Sequence, residues 1–226
     1  MNAPKGTLAR ALCLGLGLGL ATLTPASAAI FGATSGTINS GGSGSGTLTE
    51  TLNQAGLSSN YISGVTDFDT YVATATHTNF FSGFEWFSNS GTTAAMVTYD
   101  LGMNYLVNKM ALWNEESSGI GLLNLLVSTD GINFTALLSN LFPTDNPLGP
   151  QYLADVFTFG PTTFRYLRMD MSGCPQALPG SFRACAIGEV AFNEVAAVPV
   201  PAALPLLLAG LGALGVLRSR RRRQAC

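Results

Sequence analysis

Apolar and polar residues alternate with a period of two through most of the centre of this 226-residue chain. In FRYLRMDM, for example, Leu167, Met169 and Met171 fall on one face of an extended strand, and Arg168 and Asp170 fall on the other. This alternation predicts five strands: MVTYDLG (96–102), KMALW (109–113), LLNLLVS (122–128), FRYLRMDM (164–171) and IGEVAFNE (187–194).

Turn residues separate these segments, and no segment has the pattern of a long amphipathic helix with caps. Asp130 and Gly131 in STDGINF form a dipeptide that strongly predicts a hairpin. Many short strands without helices between them are typical of a sandwich or jelly roll. We therefore predict an all-β fold, an antiparallel β-sandwich.

The first 28 residues form a predicted signal peptide. Lys5 and Arg10 flank the start of the apolar run ALCLGLGLGLATL, and Ala26, Ser27 and Ala28 supply the small residues of a cleavage site. The apolar run is shorter than the ~20 helical residues that cross a bilayer. We expect export with cleavage after Ala28, and an uncleaved anchor is the alternative.

A second apolar segment, of 16 residues, runs from Ala202 to Leu217 and is followed by Arg218 and the arginines of 220–223. As a helix it would reach only about 24 Å, which is barely enough to span a bilayer. The arginines favour the cytoplasmic side of a membrane. The segment therefore predicts a short transmembrane helix that holds the precursor in the inner membrane.

The whole C-terminal segment, 198–226, resembles the PEP-CTERM sorting signal, in which a proline motif, a short apolar helix and an arginine cluster follow one another. Its motif VPVPA is similar to the VPLPA-type variant, with Val200 in place of leucine. The resemblance implies cleavage by an exosortase, a transient stay in the inner membrane, and a final location in the cell envelope or the extracellular matrix. A permanent tail anchor is the alternative.

The centre of the chain is strongly acidic. Between residues 30 and 197, four basic residues stand against 13 acidic ones, which gives this stretch a net charge of −9. Phosphate binding requires clustered lysines and arginines, so the composition excludes nucleic acid as a partner. The Gly, Ser and Thr of residues 29–49 fit either a flexible spacer or a first strand, which leaves 50–197 as the folded domain.

Cys174 and Cys185 are the two cysteines that remain once both terminal segments are removed. Two cysteines in an oxidising compartment predict one disulfide. A metal-binding pair is the alternative, but such a site needs further Cys or His ligands, and His77 is the one histidine of the chain.

Four segments of the centre carry a family resemblance: TYDLGMNYLVNKMALWN, GLLNLLVSTDGINF, FRYLRMDMSGC and AIGEVAFNE. In this order they resemble the discoidin family, also called coagulation factor 5/8 type C or galactose-binding-like domains, over residues 50–195. The resemblance implies an eight-stranded antiparallel jelly roll without catalysis, which binds sugars or lipid head groups through loops at one end. Met96 departs from the family, which often has an aromatic residue just before the DLG strand.

The same resemblance implies a structural calcium ion, held by an early acidic loop and a carboxylate of the last strand. The matching positions are Asp67 and Asp69 in GVTDFDTY and Glu189 in AIGEV. These carboxylates, with a few carbonyl groups, would supply the oxygen ligands that calcium requires. In the alternative, the aspartates cap a turn and Glu189 pairs with an arginine.

Sugar binding in such domains requires an aromatic face together with planar polar groups in loops. The candidates lie in the predicted loops 77–89 and 114–119: His77, Glu85, Trp86, Asn114 and Glu115. Trp86 would stack on a pyranose ring, although its phenylalanine-rich surroundings fit a core position as well. His77 equally fits an ordinary residue on the surface of a loop.

No catalytic motif is present. Glu115 and Glu116 are adjacent in one loop, whereas glycoside hydrolysis needs two carboxylates that face each other across a cleft. The chain has no GxSxG, no HExxH and no phosphate-binding glycine loop. We predict an exported, non-catalytic surface or matrix protein that binds glycan or exopolysaccharide through the end loops. A structural or adhesive protein without a defined ligand and an enzyme with an unrecognised site are the alternatives.

Overall fold

The computed structural model describes residues 28–79, 83–177 and 182–195. The predicted signal peptide, apart from Ala28, and the predicted sorting segment lie outside these ranges. The elements are β1 (Ala29–Phe31), β2 (Ser35–Ser40), a 3-10 helix (Leu48–Leu52), α1 (Phe68–Val72), β3 (Thr76–His77), β4 (Trp86–Phe87), β5 (Ala94–Trp113), β6 (Leu122–Ser128), β7 (Thr135–Leu141), β8 (Tyr152–Leu153), β9 (Asp155–Ser172), β10 (Ala186–Ile187) and β11 (Glu189–Glu194). Among the described residues, no helix is both long and apolar enough to cross a membrane.

A seven-stranded sheet forms the framework of the domain. Its strand order is β1-β11-β5-β9-β6-β7, and β2 also pairs with β5. Every pairing in it is antiparallel. Two short antiparallel ladders, β3 with β8 and β4 with β10, complete the pairing of the described strands. The prediction of an all-β antiparallel sandwich is confirmed.

The long strands β5 and β9 contribute to both leaves of the sandwich. Their ladder is interrupted between Asp100 and Tyr105. Before the interruption β5 is flanked by β2, and after it β5 is flanked by β11. Tyr99 and Met110, from the two halves of β5, are buried in the same hydrophobic cluster. The sheet therefore folds over one main core.

A second hydrophobic cluster covers the opposite face of β11 and of the last part of β5. Ala111, Trp113 and Ala191 belong to it, together with apolar side chains of segment 57–75. The indole N–H of Trp113 donates to the carbonyl oxygen of Ala75 at 3.0 Å. Since these strands are buried on both faces, their sequences are apolar over consecutive positions rather than strictly alternating.

The predicted strands agree with the structure to different degrees. The prediction for 122–128 coincides with β6, and 164–171 lies within the longer β9. The segments 96–102 and 109–113, predicted as two strands, are parts of the single strand β5, because pairing with β9 resumes after the interruption.

Two local predictions depend on glycines. The predicted strand 187–194 is divided at Gly188 into β10 and β11. The hairpin predicted at Asp130 and Gly131 connects β6 to β7, and Gly131 has a φ of +74°, which favours glycine.

The folded domain begins before residue 50. Ile30 of β1 is paired with Asn193 of β11, and Thr37 of β2 is paired with Thr98 of β5. Residues 29–49 therefore contribute strands to the main sheet, and the spacer interpretation of this segment is wrong.

A disulfide joins Cys174 to Cys185, whose Cα atoms are 5.0 Å apart. It connects the chain just after β9 to the chain just before β10. Both cysteines are buried, and the backbone N–H of Cys185 donates to the hydroxyl of Ser88 at 2.8 Å. The predicted disulfide is confirmed.

Candidate functional site

A cleft of about 470 Å³ lies beside the loop that follows β5. Its lining combines apolar and polar side chains: Ser45, Asn79, Phe87, Glu115, Glu116, Ser117, Leu148 and Phe182. The rings of Phe87 and Phe182 meet edge to face, with centroids 5.8 Å apart. Phe182 is 38% exposed and Leu148 is 50% exposed, so the cleft presents apolar surface to solvent.

Asn114 fixes the loop that forms one wall of this cleft. Its side-chain amide donates to the carbonyl oxygen of Thr144 at 2.9 Å and to Oε1 of Gln176 at 2.8 Å. Its Oδ1 accepts from the backbone N–H of Ile120 at 2.9 Å. Both amide hydrogens and the amide oxygen are thus engaged within the protein. Asn114, predicted as a ligand-binding residue, instead holds the loop in place.

Glu85, Glu115 and Glu116 form a buried group that we call the carboxylate cluster. One carboxylate oxygen of each residue lies within 4.8 Å of the others, and all three residues are buried. Glu115 accepts from the Ser117 hydroxyl at 2.6 Å and from the backbone N–H of Ser118. Oε2 of Glu85 and Oε2 of Glu116 are buried and have no hydrogen-bond partner in the described structure.

A chain of hydrogen bonds connects His77 to the carboxylate cluster. The pairing of β3 with β8 places His77 opposite Tyr152, whose hydroxyl donates to Oε1 of Glu85 at 2.8 Å. Nδ1 of His77 lies 3.0 Å from the Tyr152 hydroxyl and 2.9 Å from the carbonyl oxygen of Thr78. A carbonyl oxygen only accepts, so these contacts assign the ring hydrogen to Nδ1.

The other ring nitrogen of His77 faces the backbone of Gly56. Nε2 is buried and has no hydrogen-bond partner among the described residues, and a Cβ atom at position 56 would lie 2.1 Å from it. Glycine at position 56 therefore allows the imidazole to reach its place beside Tyr152. His77, which also fitted an ordinary surface residue, is fully buried here.

Burial controls the electrostatics of the carboxylate cluster. Burial first, and then the neighbouring Glu85, raise the pKa of Glu115 to about 8. Burial also raises the pKa of Glu116 to about 7. Burial and the three carboxylates hold the pKa of the Tyr152 phenol well above its usual value. Within the described ranges, no lysine or arginine forms a salt bridge with the cluster.

Trp86 is a core residue and not a stacking platform. It is fully buried in the main hydrophobic cluster, and it is paired with Ile187 across the ladder of β4 and β10. Its neighbour Phe87 lines the cleft instead, since successive residues of a strand point to opposite faces. The prediction that Trp86 contacts the ligand is wrong because strand β4 turns this side chain inward.

The residues predicted for calcium have other partners. Asp67 caps the N-terminus of α1 through its side chain. Asp69 pairs with Lys109 at 2.7 Å. Glu189 is buried and accepts from the backbone N–H of Gln54 at 3.0 Å. The alternative interpretation was right for Asp67, whereas Glu189 has no ion pair with an arginine in the described structure.

Asp67, Asp69 and Glu189 do not form a close group of side-chain ligand atoms in the described structure. In the part of the chain that the structure describes, the carboxylate cluster is the one group of three acidic, histidine or cysteine residues with ligand atoms close enough to hold an ion. Asp67, Asp69 and Glu189 are not members of that group. A calcium site at Asp67, Asp69 and Glu189, completed by carbonyl oxygens, stays a prediction of the family resemblance.

Several residues of the site were not predicted from the sequence. Phe87, Phe182 and Leu148 supply its apolar surface, and Tyr152 connects His77 to Glu85. Successive side chains of a strand point to opposite faces, so an assignment of Trp86 to the core would have predicted that Phe87 faces the cleft. Nothing in the local sequence around Tyr152 indicates that it pairs with a residue 75 positions earlier.

No protein-family model matches the chain, and no curated protein matches it. Among solved structures it is similar to chitosan-binding module 1 of a chitosanase/glucanase from Paenibacillus sp. IK-5, with 21% identity and a TM-score of 0.38 over 48% of this chain and 74% of that one. It is also similar to the CBM32 of AlyQ in complex with 4,5-unsaturated mannuronic acid, with 19% identity and a TM-score of 0.42 over 72% of this chain and 96% of that one.

A third similar structure is CBM32-1 from a family 31 glycoside hydrolase of Clostridium perfringens, with 17% identity and a TM-score of 0.37 over 49% of this chain and 76% of that one. The assignment of the fold rests on the strand order and register of this chain, and not on these partial likenesses.

Proposed function

We propose that this domain is a non-catalytic, discoidin-like module that binds a glycan in the cleft beside Phe182. The observation that carries the proposal is the presence of exposed apolar surface and several polar groups in one cleft. A sugar ring presents an apolar C–H face and a rim of hydroxyl groups, so a site for it needs both kinds of surface.

Phe182 is the ring best placed to contact the apolar face of a sugar. It is partly exposed, and its edge-to-face contact with Phe87 restrains its orientation. Its carbonyl oxygen accepts from the Ser118 hydroxyl at 2.7 Å and from the backbone N–H of Ala184 at 2.9 Å. A ring held in this way loses little conformational freedom on binding, which favours affinity.

The polar side of the cleft provides partners for sugar hydroxyl groups. Ser45, Asn79 and Ser117 contribute hydroxyl and amide groups, and Glu115 and Glu116 contribute carboxyl groups. The domain carries a net charge of −9 between residues 30 and 197. We therefore expect neutral or basic sugars to bind better than acidic ones when no cation is bound.

The test is a glycan array of neutral, amino and acidic oligosaccharides, probed with the purified protein and two variants. Phe182→Ala should abolish or strongly weaken binding, because it removes the exposed ring of the cleft. Phe142→Ala is the matched control, since Phe142 is 76% exposed and does not line the cleft. Equal binding by both variants would refute the assignment of the site.

The same array separates the remaining functions. A protein that binds no oligosaccharide at all would fit a structural or adhesive matrix role better. Release of reducing ends from a bound oligosaccharide, lost in Glu115→Gln, would indicate a glycan-cleaving enzyme. We expect binding without the release of reducing ends.

We also propose that the chain is exported and sorted to the cell envelope or extracellular matrix. The proposal rests on the signal peptide predicted over 1–28 and on the PEP-CTERM-like segment 198–226. An exosortase would cut near VPVPA after a transient stay in the inner membrane. The exposed product would then meet its glycan, an extracellular polysaccharide, outside the inner membrane.

Mass spectrometry of the native protein tests this sorting. The mature form should begin near Ala29 and should lack residues beyond about Pro201. Molecules that mostly retain the arginines of 220–223 would contradict cleavage and would favour a permanent tail anchor.

A further inference from the structure

The carboxylate cluster contains more acceptor oxygens than its described protein surroundings satisfy. Glu85, Glu115 and Glu116 are buried with exposed fractions of 0, 1 and 5%. The hydroxyl of Tyr152 and two groups of the adjacent loop supply the donors that reach Glu85 and Glu115. Among the described residues, the basic group that reaches the cluster is His77, whose Nδ1 lies 3.4 Å from Oε1 of Glu85 and which is charged only when the ring is protonated. No salt bridge to a lysine or arginine of the described residues compensates the three carboxylates.

Two carboxylate oxygens of the cluster are left without a partner. Oε2 of the fully buried Glu85 and Oε2 of Glu116 are inaccessible and accept no hydrogen bond in the described structure. An unsatisfied buried acceptor on a charged group is costly, and buried charges are normally paired or coordinate a metal. The unsatisfied Oε2 of Glu85 is an observation separate from the clustering itself, and it indicates that this oxygen has a partner outside the described residues.

We propose that Glu85, Glu115 and Glu116 bind one calcium ion where the cleft meets the carboxylate cluster. Calcium to oxygen distances are about 2.3–2.6 Å, so one ion contacts oxygens up to about 4.6–5.2 Å apart. The ligand oxygens of the cluster lie within 4.8 Å of one another, which fits this span. The proposed site is separate from Asp67, Asp69 and Glu189.

The chemistry of the ligands favours a hard cation. All three side chains offer carboxylate oxygens, whereas zinc sites are built mainly from cysteine and histidine. The one histidine of the chain, His77, directs Nδ1 toward Tyr152 and Thr78 and directs Nε2 toward Gly56. Because Glu115 and Glu116 line the open cleft, water has access to complete the coordination sphere.

The metal alone tests this proposal, so the test does not depend on glycan binding. Purified protein treated with EDTA and then dialysed should bind one calcium ion per chain in isothermal titration calorimetry. Glu85→Gln and Glu116→Gln should each weaken calcium binding by a factor of ten or more, because each removes one charged ligand while keeping the shape of the side chain. Asp69→Asn, at the position that the family resemblance implies, should leave the affinity unchanged.

Two results would overturn the proposal. One is the absence of calcium binding up to millimolar concentration in the wild-type protein. The other is binding that survives in Glu85→Gln and Glu116→Gln, which would place the ion elsewhere.

A second measurement covers the case in which these variants fail to fold. Manganese added to the ¹⁵N-labelled wild-type protein should broaden the amide signals of Ser117 and Ser118 before those of distant strands. Broadening centred on Asp69 instead would contradict the site.

Discussion

Glu189 is a fully buried carboxyl group with one hydrogen-bond partner in the part of the chain that the structure describes. Its Oε2 accepts from the backbone N–H of Gln54, and its Oε1 is buried with no hydrogen bond to a described residue. Burial raises the pKa of this carboxyl group well above its usual value. A carboxyl group whose pKa is higher in the folded protein makes its full contribution to the free energy of unfolding below the pKa that it has in the unfolded chain. That contribution is lost as the pH rises toward the pKa of the folded state.

Glu189→Gln should therefore stabilise the protein at neutral pH. In EDTA we expect the free energy of unfolding to rise by on the order of 1 kcal/mol at pH 7.5 and to change little at pH 4. The reason is that a carboxyl group that is ionised in the unfolded chain is costly to bury at pH 7.5, whereas an amide stays neutral in both states. Urea unfolding at both pH values measures the effect. Glu194→Gln, at the half-buried end of the same strand, is the control and should change stability by less than about 0.5 kcal/mol.

A loss of stability in Glu189→Gln, together with a loss of calcium-induced stabilisation, would give Glu189 a metal-binding role after all. That result would support part of the calcium site that the family resemblance implies.

The sequence predicts which polar residues gather at the site better than it predicts their roles. His77, Glu85 and Glu115 were all predicted as site residues, and the structure brings them to the cleft or its buried edge. Asn114 and Trp86 were predicted with them, but one fixes a loop and the other fills the core. The difference arises because burial depends on which strand a side chain packs against, and local sequence does not specify that.

At the level of elements, the disulfide holds the segment that carries Phe182. Cys174 and Cys185 are 11 positions apart, and Phe182 lies within the loop they close. The loop-entropy model assigns a closure of this size a stabilisation of about 3 kcal/mol. The bond therefore links the stability of the domain to the position of the aromatic ring in the cleft.

The double variant Cys174→Ser and Cys185→Ser should unfold at a lower temperature and should bind glycan more weakly. Thermal unfolding followed by circular dichroism and the glycan array measure the two effects. Dithiothreitol should reproduce both effects in the wild type and should have no effect on the double variant. An unchanged melting temperature in the double variant would contradict a stabilising role for the bond.

Strand alternation predicted the regular elements because one face of most strands is buried and the other is exposed. β6 illustrates this, since its prediction coincides with the observed strand. The short strands β3, β4 and β8 have only two residues each, which is too short for any periodicity to appear. These elements build the site, so its assembly depends on tertiary pairing that the sequence alone does not reveal.

At the level of the whole molecule, buried acidic residues determine how stability depends on pH. Burial raises the pKa of Glu115 to about 8 and that of Glu116 to about 7, while Glu85, His77 and Tyr152 are the titratable groups that face them. The unfolded chain releases these protons near pH 4.5. Between about pH 4.5 and pH 8 the folded state binds more protons than the unfolded chain does, so the free energy of unfolding falls as the pH rises.

We expect the protein in EDTA to be more stable at pH 5 than at pH 8, by a few kcal/mol. Urea unfolding across this range measures the slope, and Glu115→Gln should make it shallower. Stability that increases from pH 5 to pH 8 would show that the carboxylate cluster is ionised in the folded protein without cost.

The most direct test of the glycan-binding site is an NMR titration of the ¹⁵N-labelled protein with the oligosaccharide that binds best on the array. We predict that the largest chemical-shift changes fall on Ser45, Phe87, Ser117, Leu148 and Phe182, which line the cleft. Changes centred instead on Arg165 and Arg168 of β9, outside the cleft, would contradict the account.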